Sequence, residues 1–195
     1  MQFETNTMPW RIKILILTIS IIFSLKVTAR QEYPKILSMK ERAVVIDDIL
    51  EDKIAHILPE LMRREGIDMW VVISREYNED PVIKTLLPST WLAARRRTIL
   101  IMFDKGGGLG VETLAVARFD VGKSFKKAWD KEKQPDQWAR VAEIIEERNP
   151  QKIGLNISDH FGLADGLAST DLEAFRKAIS NKYKQKMQKS WPLHG

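Results

Sequence analysis

The chain is 195 residues long, 44% hydrophobic and 29% charged, enough for one domain with a real core and too little for two large ones. With 8% aromatics and no compositional bias it is not collagen-like, low-complexity or broadly disordered. It has no cysteine, which excludes a disulfide framework, thiolate zinc sites, iron–sulfur clusters and a cysteine nucleophile. The net charge is +5, and beyond residue 29 the excess falls to 28 basic against 25 acidic residues, too mild and too dispersed to point to nucleic acid or anionic lipid.

Arg11 and Lys13 precede an apolar run, Ile14 to Leu25, of 12 residues. That length suits the core of a signal peptide and falls short of a comfortable membrane span. Val27-Thr28-Ala29 follows, with small residues at the −3 and −1 positions of a cut after Ala29. The expectation is a signal peptide over 1–29 and export to the periplasm or the exterior. Contact with a membrane would then come only through an uncleaved signal segment.

The mature chain opens with a helical pattern in which Ile46, Leu50, Ile54, Ile57, Leu58 and Leu61 form an apolar stripe. Asp47, Asp48, Glu51, Asp52 and Lys53 are assigned to the opposite face. Pro59 predicts a kink, or a restart with the proline in a first turn, and Arg63-Arg64-Glu65-Gly66 ends the helix on a glycine able to turn left-handed. Residues 69–74 (MWVVIS) and 98–103 (TILIMF) read as strands covered on both faces. Residues 75–90 read as a polar loop with at most a short helix. After the glycine-rich turn 105–110, residues 112–119 return as a third strand, making a hairpin. Residues 122–137 read as irregular.

Trp138, Val141, Ile144, Ile145 and Arg148 mark a second amphipathic helix stopped by Asn149-Pro150, and residues 152–158 a fourth strand. A helix between strands three and four has the form of a crossover, which favours parallel pairing. Thr170-Asp171-Leu172-Glu173 reads as a capping box opening a last helix with Leu172, Phe175 and Ile179 inward. The pattern decays after Asn181. The fold class is α/β: a single domain over 30–183, a mixed β-sheet flanked by helices, and a divergent tail over 184–195.

Few residues present themselves for chemistry. Gly106–Gly110 leads into a strand rather than a helix, so it is a hairpin turn and not a phosphate loop. Asp52, His56 and Glu60 have helical spacing for metal ligands, but Pro59 breaks the register they need. Ser158, Asp159, His160 and Asp165 contain the residue types of a hydrolytic triad without a nucleophile elbow, and His194 has nothing near it in sequence to hold it. Arg95-Arg96-Arg97 is the densest basic run and could receive a carboxylate or phosphate, but the favoured reading is an exposed helix end or strand entrance balanced by nearby Asp and Glu. Arg75, Glu76, Asn78, Glu79 and Asp80 follow a strand C-terminus, the edge of an open α/β sheet where ligands sit, and are the first candidates for substrate-entrance or domain contacts. No catalytic set emerges, and neither a catalytic nor a metal-binding residue is assigned.

The phrases LMRREGIDMWVVISREYNEDP, WLAARRRTILIMFDKGG, ETLAVARFDVG, QWARVAEIIEERNPQKIGLNIS and DHFGLADGLASTDLEAF, in this order, resemble the N-terminal domain of the creatinase/aminopeptidase P family. The branch they resemble is exported and Xaa-Pro aminopeptidase-like, and the likeness runs from about Met39 to Tyr183. The resemblance implies a domain that shapes the substrate entrance or contributes oligomer contacts. In that family the chemistry belongs to a C-terminal "pita-bread" domain, whose two Asp, one His and two Glu hold two divalent metals, commonly manganese. None of those ligands maps onto this chain. The chain alone is therefore expected to be inactive and to hold no cofactor, with a catalytic metallopeptidase domain encoded elsewhere, or a second copy of itself, as partner. The alternative is a free-standing exported α/β module that binds a ligand or protein.

Overall fold

The computed structural model describes residues 9–12, 14, 15, 17, 18, 34 and 36–189. The chain divides into two units, Met1–Leu37 and Ser38–Gly195. In the first, residues 10–12, 14, 15, 17 and 18 are helical. The expected cleavage site at Val27-Thr28-Ala29 lies outside the described residues, as does the end of the expected tail, 190–195. No helix among the described residues is long and apolar enough to cross a membrane.

The second unit is an α/β domain. Ser38 caps helix α1 (Met39–Asp52) reciprocally: Glu41 N–H donates to its hydroxyl at 3.3 Å, and its own N–H donates to the Glu41 carboxylate at 2.7 Å. A π-helical turn, Lys53–Ile57, links α1 to α2 (Leu58–Arg64), and Pro59 sits in the first turn of α2, where a missing N–H breaks no helical bond. Helix α2 ends with Gly66 at φ 65°, the Ile67 N–H bonded to Met62 O and the Gly66 N–H to Arg63 O. That is the paired Schellman closure only a residue at ease in the left-handed region completes without strain.

The rotation of α1 differs from the expected stripe. Leu50, Leu58 and Met62 are buried and Ile54 partly so, but Ile46 and Ile57 are exposed. Asp47, assigned to the solvent side, turns inward and accepts the Ser89 N–H at 2.7 Å and its hydroxyl at 3.0 Å. Apolar residues cover so much of this helix that periodicity alone did not fix its phase; a polar partner 42 positions away did.

The sheet has six strands: β1 (Met69–Arg75), β2 (Arg97–Asp104), β3 (Val111–Val116), β4 (Lys126–Lys127), β5 (Ile153–Leu155) and β6 (Met187–Lys189). Their order is β4-β3-β2-β1-β5-β6. The central β1, β2 and β3 pair antiparallel, while β5 runs parallel to β1, β6 to β5 and β4 to β3. On β1, Trp70 and Val72 face one core, and Met69, Val71 and Ile73 face the other; Leu100 and Met102 oppose Ile99 and Ile101 in the same way on β2. This alternation explains the unbroken apolar runs, since both faces are covered. Helix α2 and the loop after β1 cover the first face. The second is covered by α3 (Gln137–Arg148), α4 (Ser169–Ala178) and α5 (Asn181–Lys184).

Several boundaries move. Strand β3 stops at Val116, short of Phe119, because the Gln137 side-chain amide donates to the Val116 and Arg97 carbonyls at 2.7 and 3.1 Å and occupies that end of the ladder. Strand β5 stops at Leu155, where the Ile157 N–H turns back to the Leu155 carbonyl. The expected box at Thr170 does not form: Ala168 is the cap of α4, and Thr170 and Asp171 reach toward arginines instead. Residues read as patternless or irregular supply α5, β4 and β6.

Candidate functional site

Strand β1 delivers its last residues to the polar end of the sheet, and the loop beyond it splits in two directions. Asn78 N–H closes a tight turn onto the Arg75 carbonyl at 3.0 Å, with Tyr77 at φ 67° and its N–H held by the Glu79 carboxylate at 3.2 Å. After that turn the chain dives inward. Asp80 is wholly buried, its N–H donating to the Ser74 hydroxyl at 3.0 Å. Its carboxylate accepts the Val82 N–H at 2.8 Å and the Asn156 side-chain amide at 2.7 Å, and Asn156 in turn accepts the Trp70 indole N–H at 2.8 Å. Burial pushes the Asp80 carboxyl above its ordinary range, against the pull of those donors. Of the five residues expected to make outward contacts, Asp80 is instead a buckle joining β1, the loop and the end of β5.

Arg75 and Glu76 go the other way, into a cleft of about 640 Å³. Because Arg75 pairs with Arg97 in the β1–β2 register, the end of one strand and the start of the next place two guanidinium stems side by side. Both reach Asp171 on α4: Arg75 Nε lies 2.8 Å from one carboxylate oxygen and Arg97 Nε 3.2 Å from the other. These are ion-pair distances, but neither Nε–H is aimed well enough for a hydrogen bond. Arg75 also donates to the Thr170 hydroxyl at 3.0 Å.

Arg95 and Arg96 enter from the segment before β2. The Arg95 guanidinium stacks 4.4 Å over the Trp91 ring, and Arg97 lies 4.8 Å over Trp138. Arg96 is held at φ 57°; its N–H donates to the Glu76 carboxylate at 3.1 Å and its carbonyl accepts the Glu76 N–H at 2.7 Å. Arg118, just past the end of β3, completes the rim beside Phe119, with Trp91 and Trp129 as buried aromatic wall. Five arginines thus meet two carboxylates, Glu76 and Asp171. Sequence reasoning singled out Arg75, Glu76 and the Arg95–Arg97 run separately. It missed Arg118, the tryptophans and Asp171, and the strand register is what joins them.

The other candidates do not assemble. His56 Nδ1 lies 2.9 Å from Asp52 Oδ1 on an exposed helix surface, and the π turn rotates Glu60 away from the expected series. Among the described residues no three His, Asp or Glu side chains gather as metal ligands. The Ser158 hydroxyl accepts the N–H groups of His160 and Phe161 at 3.3 and 3.0 Å, and Asp165 accepts the Ser158 N–H at 3.2 Å. Those residues build a loop rather than a nucleophile. Gly106–Gly110 forms the β2–β3 turn, closed by Lys105 N–H to Gly110 O at 3.2 Å.

No family model matches the chain, and no curated protein matches it. Among solved structures it is similar to an Xaa-Pro dipeptidase from Bacillus anthracis, at 14% identity and a TM-score of 0.41 over 71% of this chain. The chain spans 32% of the length of that structure.

Proposed function

We propose that the chain acts as the non-catalytic N-terminal domain of an exported Xaa-Pro aminopeptidase-like metallopeptidase, and that the outer face of α1 docks against a catalytic half. The observation that carries this reading is the surface of α1. Met39, Val44, Val45, Ile46 and Ile49 stand exposed on a well-capped helix, with Ile57 exposed on the turn after it. A helix built to face water carries polar residues there, whereas apolar side chains of this number mark a covered face. The ordered phrases that resemble the creatinase/aminopeptidase P family support the choice of partner. In this reading the signal peptide is removed near Ala29, and the two divalent metals, commonly manganese, belong to the catalytic half.

The test is to read the nucleotide sequence beyond codon 195 in all three frames. A downstream series of two Asp, one His and two Glu supports the proposal; its absence there defeats the idea of a catalytic half cut from this one. Purified full chain with manganese is expected to hydrolyse no Xaa-Pro dipeptide, and turnover would overturn the non-catalytic role. One observation favours a second reading, a free-standing exported ligand-binding module: the arginine cleft is built wholly within this chain. That reading expects a monodisperse protein that does not bind hydrophobic dyes.

A further inference from the structure

We infer that the cleft at the β1–β2 end of the sheet is a binding site for a small molecule bearing an oxyanion, carboxylate or phosphate, on a flat apolar body. The inference concerns this chain's own cleft and does not depend on α1 docking a catalytic half.

The charge argument comes first. Arg75 and Arg97 share Asp171. No carboxylate pairs with the guanidinium groups of Arg95, Arg96 or Arg118 among the described residues, although all three line the same cleft. Gathering like charges around one concavity raises the positive potential there, and an incoming anion relieves it. A merely solvated basic surface has no reason to be concave. The donors are also all arginine, whose planar fork matches the two oxygens of a carboxylate or phosphate, rather than lysine, which offers a point charge.

Rigidity is the second argument. Arg95 is stacked on Trp91, and the backbone at Arg96 is clamped on both sides by Glu76. The Arg95 guanidinium therefore rests on a fixed support, so less freedom is lost on binding there than from a mobile surface side chain. The third argument is the lining. Trp91, Trp129 and Phe119 offer apolar wall beside the charges, and about 640 Å³ falls within the range of small-molecule sites. Phe119 is 59% exposed, an aromatic residue more than half open to solvent at the cleft.

The experiment titrates full chain with benzoate, inorganic phosphate and neutral benzamide, following the indole N–H resonances of the six tryptophans. A saturable shift at Trp91 and Trp129 with benzoate but not benzamide supports a carboxylate ligand. The same with phosphate supports a phosphate ligand. Binding is expected to weaken with added salt. Arg118→Gln and Arg96→Asn, the latter chosen because asparagine tolerates a left-handed backbone, are each expected to raise the dissociation constant about tenfold or more. Lys182→Gln, outside the cleft, leaves it unchanged. Retained indole dispersion in each variant shows that the fold is intact. No saturable shift with either anion, equal response to benzamide, or parent-like binding by both arginine variants overturns the inference.

Discussion

Two polar clusters grow from the same strand end, only a few residues apart, and they have opposite characters. The knot around Asp80 is dry, with its carboxylate answered by a backbone N–H and the Asn156 amide. The cleft around Arg75 is open, with more cations than carboxylates. Position in the chain does not separate them; satisfaction of their hydrogen bonds and charges does. A buried polar group with every partner in place rigidifies a fold, while a surplus of one charge around a concavity leaves something for a ligand to complete.

The largest effect expected from this contrast is on the dry side. Asp80→Ala removes the acceptor shared by the Asn156 amide and the Val82 N–H, and is expected to cost about 3 kcal/mol in urea unfolding. Arg118→Gln in the cleft is expected to change stability by no more than about 0.5 kcal/mol. Equal losses would break the contrast. Gly166→Ala tests the knot from outside: a Cβ there falls 2.5 Å from the Asp80 carboxyl carbon, so about 1–3 kcal/mol of strain is expected.

Acid titration separates the knot from a surface ion pair. Arg63 bonds Asp104 at 2.8 and 3.1 Å and holds its carboxyl below the ordinary value of 3.8. That contribution is present above pH 3.8 and lost as pH falls through the lowered folded value. Asp80 has the reverse sign: its folded value is raised, so its contribution is full below 3.8 and fades as pH rises through the folded value. Asp104→Asn should therefore flatten the acid limb of a stability–pH curve. Against the Asp80→Ala background, the parent should show an added decline as pH rises, and identical slopes would defeat that assignment. The smallest effect is expected at Ile49→Lys on the exposed face of α1: stability within about 0.5 kcal/mol, but less self-association by light scattering.

Much of this architecture was legible. Strands β1 and β2 announced themselves because two-sided burial demands continuous apolar residues, and Gly66 and Asn149 marked helix ends because both take positive φ. Strand β6 was not legible: it lies among lysines and is recruited through backbone pairing with β5, which leaves no side-chain period. The capping-box reading of Thr170-Asp171 failed because two arginines, distant in sequence, compete for those side chains. The cleft was visible only in pieces. Arg75, Arg97 and Arg118 come from three segments, and nothing local in the sequence states that β1 meets β2 with Arg75 opposite Arg97. Asp80 looked like its exposed neighbours until the turn at Tyr77 separated them.

The outermost strand β4 carries a consequence for how copies of this molecule can meet. Strand β4 is a two-residue stub made of Lys126 and Lys127, both exposed. At the β4 border a neighbouring chain that tried to extend the sheet would find almost no free ladder and would have to bring its backbone alongside the Lys126 and Lys127 ammonium groups. Growth into a continuous ribbon is thereby discouraged at that border. Association through that side of the sheet is left to side-chain surfaces, where its extent is set by shape.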